Sequence, residues 1–232
     1  MFGIPYNSMA WLIGAVSVFL FSWKSFLAYK ESGNQIARIY FWLSLAFGIG
    51  FIAYALPPIF VRDENSIKIT YILSETCIQL GLLIQIWLLW FIGLRNKIRL
   101  RYLYAVALPY SAGIILIEAL TSKITINPSP LLIAQSDITL ALIMKYINFF
   151  VICWPLGYFF IVQAKLQPTT KARITSITTG LIFIIVSAGA ITAGGGDTVT
   201  SSLIDGIIFF FFIIINLIPK RIISFEHQTV AK

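Results

Sequence analysis

The chain has 232 residues, of which 59% are hydrophobic and only 11% are charged, and its mean hydropathy is +0.89. This composition excludes an ordinary soluble domain, because apolar stretches of about 18 residues or more are typical of membrane-spanning helices. The net charge of +8 does not indicate nucleic-acid binding, since the basic residues lie in short connections between apolar segments, where membrane topology places them.

The apolar stretches predict seven transmembrane helices in a single domain over residues 1–232. Backbone groups in lipid must form hydrogen bonds within their own segment, so these continuous apolar runs predict an all-α integral membrane bundle. Pro57 and Pro58 are predicted to end segment 2, and the sequences NPSP at 127–130 and AGGGD at 193–197 are predicted as a loop and a turn. In chain order the segments are about 8–28, 37–60, 68–94, 101–121, 137–164, 173–193 and 199–219.

The connections between the segments alternate in charge, which predicts the orientation of the chain. Arg62, Lys68 and Lys123 lie on one side and Lys145 lies within segment 5, whereas the other 13 basic residues fall on the opposite side. Because basic residues accumulate in cytoplasmic loops, the N-terminus is predicted outside and the C-terminus inside. Those 13 residues are Lys24, Lys30, Arg38, Arg95, Lys97, Arg99, Arg101, Lys165, Lys171, Arg173, Lys220, Arg221 and Lys232.

The connection after segment 3 is a candidate inner interface. Its sequence, RNKIRLR, contains Arg95, Lys97, Arg99 and Arg101. This basic cluster is explained by topology together with contact to anionic lipid, or alternatively by a cytoplasmic or membrane protein partner that docks on it.

Segment 3 contains the sequence YILSETCIQLGLLIQIW, in which Glu75, Gln79 and Gln85 interrupt an otherwise lipid-soluble stretch. At about 100° per residue these three polar side chains fall on one face of a helix, and leucine and isoleucine occupy the opposite face. We therefore expect this polar face to form an inner wall of the bundle.

Ionisable residues also occur within segments 5 and 7. At about 1.5 Å per residue, Glu75, Lys145 and Asp205 each lie about 8–13 Å below the outer end of their segment, and Glu118 in segment 4 is somewhat shallower. Asp137 shares the face of Lys145 in segment 5. A charge in hydrocarbon costs several kcal/mol, so such residues face the bundle interior or pair with one another.

These positions predict one polar network in the outer half of the bundle. Glu75, Lys145 and Asp205 are expected to converge, with Gln79 and Asn148 as hydrogen-bond partners. Because two acids would share one base, one carboxyl group is expected to stay protonated or to bind a cationic species. The network is a candidate ligand, ion or proton site; alternatively, it only holds neighbouring helices together.

Several kinds of chemistry lack the residues they need. The single histidine, His227, lies in the tail, which excludes multi-histidine zinc sites, serine–histidine proteases and haem carriers with paired histidine ligands. Cys77 and Cys153 are predicted as unpaired thiols within spans. We predict no catalytic residue, no metal site and no cofactor, and an enzyme that uses the carboxylates alone remains a minor alternative.

The predicted topology resembles that of heptahelical receptors and rhodopsins. Retinal proteins of this layout attach the chromophore to a lysine in the middle of the seventh helix, and segment 7, SSLIDGIIFFFFIIINLIPK, has no such lysine. The first half, with RIYFWLSLAFGIGFIAYAL followed by WLLWFIGLR, is similar to the seven-helix sensor modules of bacteria that usually precede a histidine kinase or another output domain. The resemblance implies a multi-pass protein in the plasma (inner) membrane of a prokaryote.

Three hypotheses for function follow. The first is a receptor-like sensor that binds a small or lipidic ligand in an outer-half pocket between segments 3, 5 and 7 and signals through a partner, since the sequence contains no output domain. The second is a small-molecule or proton-coupled transporter, although the Pro-Gln motif of small heptahelical sugar transporters is absent. The third is a structural subunit of a membrane complex.

Overall fold

The fold is mostly helical, and one β-hairpin interrupts the series of helices in this computed structural model. It describes residues 4–61, 63–128, 131–167, 169–170, 173–174, 176–181, 183–184 and 199–217. The helices are α1 (Tyr6–Ser32), α2 (Gln35–Ala55), α3 (Pro57–Phe60), α4 (Glu64–Leu89), α5 (Leu100–Thr121), α6 (Thr139–Ala164) and α7 (Val199–Leu217), and the strands are β1 (Lys123–Pro128) and β2 (Leu131–Ser136).

Five helical stretches in the described residues are long and apolar enough to cross a membrane, which supports an integral membrane protein. They coincide with predicted segments 1 to 5. Predicted segment 6 is described only in part, and its described residues include a helix over 176–181; segment 7 coincides with α7. The five stretches are Tyr6–Ser32, Gln35–Phe60, Glu64–Leu94, Leu100–Thr121 and Thr139–Ala164.

Some predictions concern residues that the structure does not describe. These are the predicted turn at 193–197, Arg62, Lys171, and the tail residues Lys220, Arg221, His227 and Lys232, all of which lie outside the described residues.

Local sequence signals set the helix boundaries. Gly33 adopts φ 65°, a left-handed conformation that glycine tolerates best, and its N–H closes α1 by donating to the Tyr29 carbonyl oxygen at 2.8 Å. Asn34 then caps α2 by accepting a hydrogen bond from the Ile36 N–H at 2.8 Å. Asp63 caps α4 in the same way through the Ser66 N–H.

The five long helical stretches run in alternating directions, and the hairpin covers one end of the bundle. The N-terminal half-turn of α1 reaches the hairpin through Asn7, and α4 reaches it through Tyr71. The other end of α2 arrives at the same place, where Tyr54 stacks on Tyr71 with ring centroids 4.0 Å apart. We call this the hairpin end; the basic connection between α4 and α5 lies at the opposite end.

The hairpin forms in the connection between α5 and α6, where the sequence predicts a loop at 127–130 and no strands; positions 129 and 130 lie outside the described residues. Lys123 pairs with Ser136 and Pro128 with Leu131 in an antiparallel register. Ile124 points into the protein and is buried, as is Ile133 on the second strand. The alternating, β-branched sequence of β1 favours a strand with one buried face. This strand could therefore have been predicted from the alternation of apolar and polar residues.

Helix α4 is the central element, since it packs against α2, α5, α6 and β1. Towards the end opposite the hairpin it forms the main apolar core, in which Leu82, Leu88 and Leu156 are fully buried. Beneath the hairpin a smaller core forms around Tyr71 and Ile133. Glu75 and Gln79 therefore lie between these two apolar cores along α4.

Candidate functional site

A lysine surrounded by three carboxyl groups lies under the hairpin. The Lys145 Nζ atom lies 2.8 Å from Asp137 Oδ2 and 3.4 Å from Glu75 Oε2, and it also forms an ion pair with Glu118 Oε1. Glu118 is only 1% exposed. We refer to these four residues as the Lys145 centre.

Each member comes from a different element or segment near the hairpin end. Glu75 lies on α4, Glu118 lies in the last turn of α5, and Asp137 lies in the link between β2 and α6. Side chains on a helix lean toward its N-terminus. The long Lys145 side chain on α6 can therefore reach back to Asp137, which precedes the helix.

Amide groups extend the Lys145 centre along the interface between α4 and α6. Gln79 Nε2 donates to Glu75 Oε1 at 2.6 Å, and Asn148 Nδ2 donates to Gln79 Oε1 at 2.7 Å. The Gln79 side chain thus receives one hydrogen bond and donates another while being 1% exposed. These contacts satisfy polar groups whose burial would otherwise be costly.

Hydrogen bonds at Gln135 and Ile133 hold the hairpin over this site. Gln135 Nε2 on β2 donates to Asp137 Oδ1 at 2.9 Å and to Glu118 Oε1 at 3.4 Å. The carbonyl oxygen of Ile133 accepts hydrogen bonds from Asn7 Nδ2 and from the Tyr71 hydroxyl. The second strand therefore joins the Lys145 centre to α1 and α4.

The Lys145 centre has more acidic than basic groups. If all three carboxyl groups are ionised, their charge exceeds that of the single ammonium by two. Burial raises the pKa of Asp137; the charge of Glu75 acts in the same direction, while the hydrogen bond from Gln135 opposes both. Glu118 Oε2 is buried and has no hydrogen-bond partner among the described residues. These groups can accept a proton or another cation.

Four of the five predicted site residues come together in the structure: Glu75, Gln79, Lys145 and Asn148. Asp205 does not join them in the described part of the chain, where it has no hydrogen bond or ion pair with any other residue. It lies on α7, which packs against α1; Gly206 lies beside Ala10, for example.

Two acids that form ion pairs with Lys145, Glu118 and Asp137, are not among the predicted site residues. Both carried a usable signal. Glu118 is an acid in the outer half of its span, somewhat shallower than Lys145, and Asp137 shares the helical face of Lys145 and lies eight residues before it. The walls of the site are accordingly α4, α5, α6 and the hairpin, whereas the predicted pocket used segment 7.

The basic connection and the cysteines lie elsewhere. Arg95, Lys97, Arg99 and Arg101 are exposed at the end opposite the hairpin. The cysteines, Cys77 and Cys153, are free, as predicted.

Within the described residues, no group of three or more histidine, cysteine, aspartate or glutamate residues is arranged to hold a metal ion. No protein-family model matches the chain, and no curated protein matches it. The geometry of the Lys145 centre is therefore the basis for assigning a function to the chain.

Proposed function

We propose that this protein is a seven-helix, receptor-like membrane sensor that binds a small cationic ligand at the Lys145 centre and signals through a partner. The observation that carries the proposal is the convergence of three carboxyl groups on one partly buried lysine. A buried excess of negative charge is unfavourable. A bound cation would neutralise it, and Glu118 Oε2 offers an acceptor that no described residue occupies.

The arrangement of the helices supports the topology in this proposal. Ser176 donates a hydrogen bond to the Phe160 carbonyl oxygen, and Gly180 meets Gly157, so the helix over 176–181 runs antiparallel to α6. Helix α7 runs parallel to α1, because Gly206 lies beside Ala10 and Phe209 lies beside Gly14. Two further spans would complete a seven-helix alternation, with the hairpin end outside and the basic connection inside by the charge rule.

A cation-binding assay tests the proposal. In detergent at pH 8, increasing methylammonium chloride should raise the thermal unfolding midpoint, since a ligand that binds only the folded state stabilises it. Choline chloride replaces methylammonium chloride at the lower concentrations, so that the ionic strength stays constant. Its quaternary nitrogen has no hydrogen to donate, so choline should not form the same hydrogen bonds. Glu118→Gln should abolish the rise, whereas Glu64→Gln, a change at an exposed carboxylate, should preserve it.

Two outcomes would overturn this assignment. One is a wild-type midpoint that does not respond to methylammonium. The other is an equal response in the Glu118→Gln and wild-type proteins, which would place binding outside the Lys145 centre.

A transport function is the second candidate, favoured by polar contacts that continue along α4 and α6. Beyond the Gln79–Asn148 pair, the Cys153 thiol donates to Gln85 Oε1 at 3.5 Å. A transporter in liposomes should move protons in response to a pH gradient, and Gln85→Leu should slow that movement. Absence of flux in protein that still binds methylammonium would favour the sensor.

A structural-subunit role would be favoured by a polar stripe that faces outward. The polar stripe on α4 instead contacts α6 through Gln79, so the sensor remains the preferred proposal.

A further inference from the structure

The face of α4 opposite Glu75 and Gln79 forms the floor of an apolar groove. Helices α2 and α5 supply its walls, and its volume is about 530 Å³. The hydroxyl group of Tyr104, one of its few polar atoms, already donates to the Leu83 carbonyl oxygen at 3.1 Å. The groove is lined by Trp42, Leu45, Ala46, Ile49, Cys77, Leu80, Leu83, Ile84, Tyr104 and Leu108. Such a surface suits a hydrocarbon ligand.

The groove extends over about one leaflet of a bilayer. Tyr104 is four residues from the start of α5, and Ile49 is 14 residues from the start of α2. At about 1.5 Å per residue, the groove spans roughly 6–21 Å from the end opposite the hairpin. Half of a hydrocarbon core of about 30 Å has a similar length, so one acyl chain fits the groove lengthwise.

Two arginines continue the groove toward that end. Arg101 precedes Tyr104 and Leu108 by three and seven residues, and Arg38 precedes Trp42 by four. These spacings place each arginine on the same helical face as the groove-lining residues. Both arginines are exposed, and neither forms a salt bridge in the part of the chain that the structure describes.

We propose that this groove binds one acyl chain of an anionic membrane lipid, whose headgroup is held by Arg38 and Arg101. The apolar lining suits the acyl chain. The guanidinium groups suit the lipid phosphate, which arginine can bind with paired hydrogen bonds. Arg38 lies 5.9 Å from the centre of the Tyr29 ring, and Arg101 lies 5.0 Å from that of Tyr102. Arg101 also donates a hydrogen bond to the Tyr102 hydroxyl group at 3.1 Å, and none of these contacts neutralises the charge of either arginine.

Lipid binding to the purified full chain tests the inference. Native mass spectrometry would compare phosphatidylglycerol with phosphatidylcholine of identical acyl chains. We expect one tightly bound phosphatidylglycerol, and a preference over phosphatidylcholine that falls roughly tenfold in the double variant Arg38→Gln/Arg101→Gln. The matched control Arg95→Gln/Lys97→Gln removes the same charge at the same end and should keep the preference.

A second variant distinguishes the contribution of the acyl chain to lipid binding from that of the headgroup. Ala46→Phe fills the groove and should weaken binding of both lipids equally, with an unfolding midpoint near that of the wild type as the check on folding. Equal binding of the two lipids by the wild-type protein would overturn the proposal, as would equal losses in the two double variants. A lipid-free dimer that Ala46→Phe dissociates would also overturn it, since a second copy would then occupy the groove.

Discussion

At the scale of single residues, Lys145 is the cation that compensates the buried carboxyl group of Glu118 and the partly buried ones of Glu75 and Asp137. Breaking a buried ion pair by removing one partner costs about 3–5 kcal/mol, because the remaining charge stays buried without compensation. Lys145→Met should therefore lower the free energy of unfolding by about that amount, as measured by denaturant titration in detergent. Lys97→Met, at an exposed lysine, should change it little.

The same substitution permits a coupling test. Adding Glu118→Gln to Lys145→Met removes one of the uncompensated charges, so the double variant should be more stable than the sum of the single effects predicts. A loss below about 1 kcal/mol in Lys145→Met, or strict additivity of the two changes, would show that the Lys145 centre does not act as one unit.

Asp137 should make stability depend on pH. Its raised pKa means that the folded protein keeps a proton that the unfolded chain releases above the ordinary aspartate pKa of about 3.9. The free energy of unfolding should then fall as the pH rises from that value through the raised pKa, and level off above it. Asp137→Asn should remove this part of the slope in unfolding midpoints measured between pH 4 and 8.

Asp63 provides a control of opposite sign. Hydrogen bonds from the Ser66 side chain and backbone hold the pKa of Asp63 below its ordinary value, so its contribution is present above the ordinary pKa and is lost as the pH falls. Asp63→Asn should change the unfolding midpoint only at the acidic end of the pH range. An unchanged slope in Asp137→Asn would contradict the role of Asp137.

Helical periodicity was enough to predict the contacts among four residues of the proposed site. Glu75, Gln79, Lys145 and Asn148 lie at spacings that place them on facing helical surfaces. Asp205 has a similar depth, but depth does not determine which helices are neighbours. The packing of α7 on α1 depends on contacts between apolar surfaces, such as Trp11 and Phe209 with ring centroids 5.6 Å apart, and spacing alone does not reveal them.

At the scale of elements, one close helix crossing can be tested with glycine variants. A β-carbon at Gly157 would lie 2.7 Å from the carbonyl oxygen of Gly180, a backbone atom that cannot move aside easily. Gly157→Ala should therefore destabilise the protein by about 1–3 kcal/mol. At Gly113 the nearest atom would be Met144 Cε at 3.6 Å, so Gly113→Ala should be neutral or slightly stabilising.

Unfolding midpoints of both glycine variants in the same detergent would check this pair. If Gly157→Ala is as stable as Gly113→Ala, the two helices do not meet at Gly157 and Gly180.

The hairpin depends on Asn7 for its attachment to α1. The Asn7 amide group donates to the Ile133 carbonyl oxygen, while Asn7 Oδ1 accepts from the Ile133 N–H at 3.5 Å. Asn7→Ala should therefore speed hydrogen exchange across 123–136 by about tenfold, the equivalent of about 1.4 kcal/mol. Exchange in α6 should be unaffected, and a uniform increase along the chain would instead indicate general destabilisation.

The hairpin also shows why element prediction was incomplete. Hydropathy over long windows detects spans but averages out strands of six residues. The alternation in KITINP was the available signal, and its pairing with LLIAQS across 129–130 depends on tertiary burial of Ile133. Helix starts, by contrast, follow local chemistry such as the cap at Asn34.

At the scale of the whole molecule, charge distribution and helix packing bear on the same topology. Positive charge predicts which ends face the cytoplasm, and packing independently gathers the hairpin and the Lys145 centre at the other end. The number of spans adds a constraint, because each additional span reverses the side on which the next connection emerges. The predicted orientation therefore places the hairpin outside the cell and the basic connection between α4 and α5 inside it.

Cysteine labelling of intact cells tests this orientation. In a background in which Cys77 and Cys153 are replaced by alanine, Asn127→Cys places a thiol on the exposed hairpin and Lys97→Cys places one in the basic connection. A membrane-impermeant maleimide should label Asn127→Cys at once and should reach Lys97→Cys only after the membrane is permeabilised. The reverse pattern would place the Lys145 centre near the cytoplasm, where it would meet ligands from inside the cell. Equal labelling of both positions in intact cells would contradict a single orientation, and the alternating charge of the connections would then fail to set the topology.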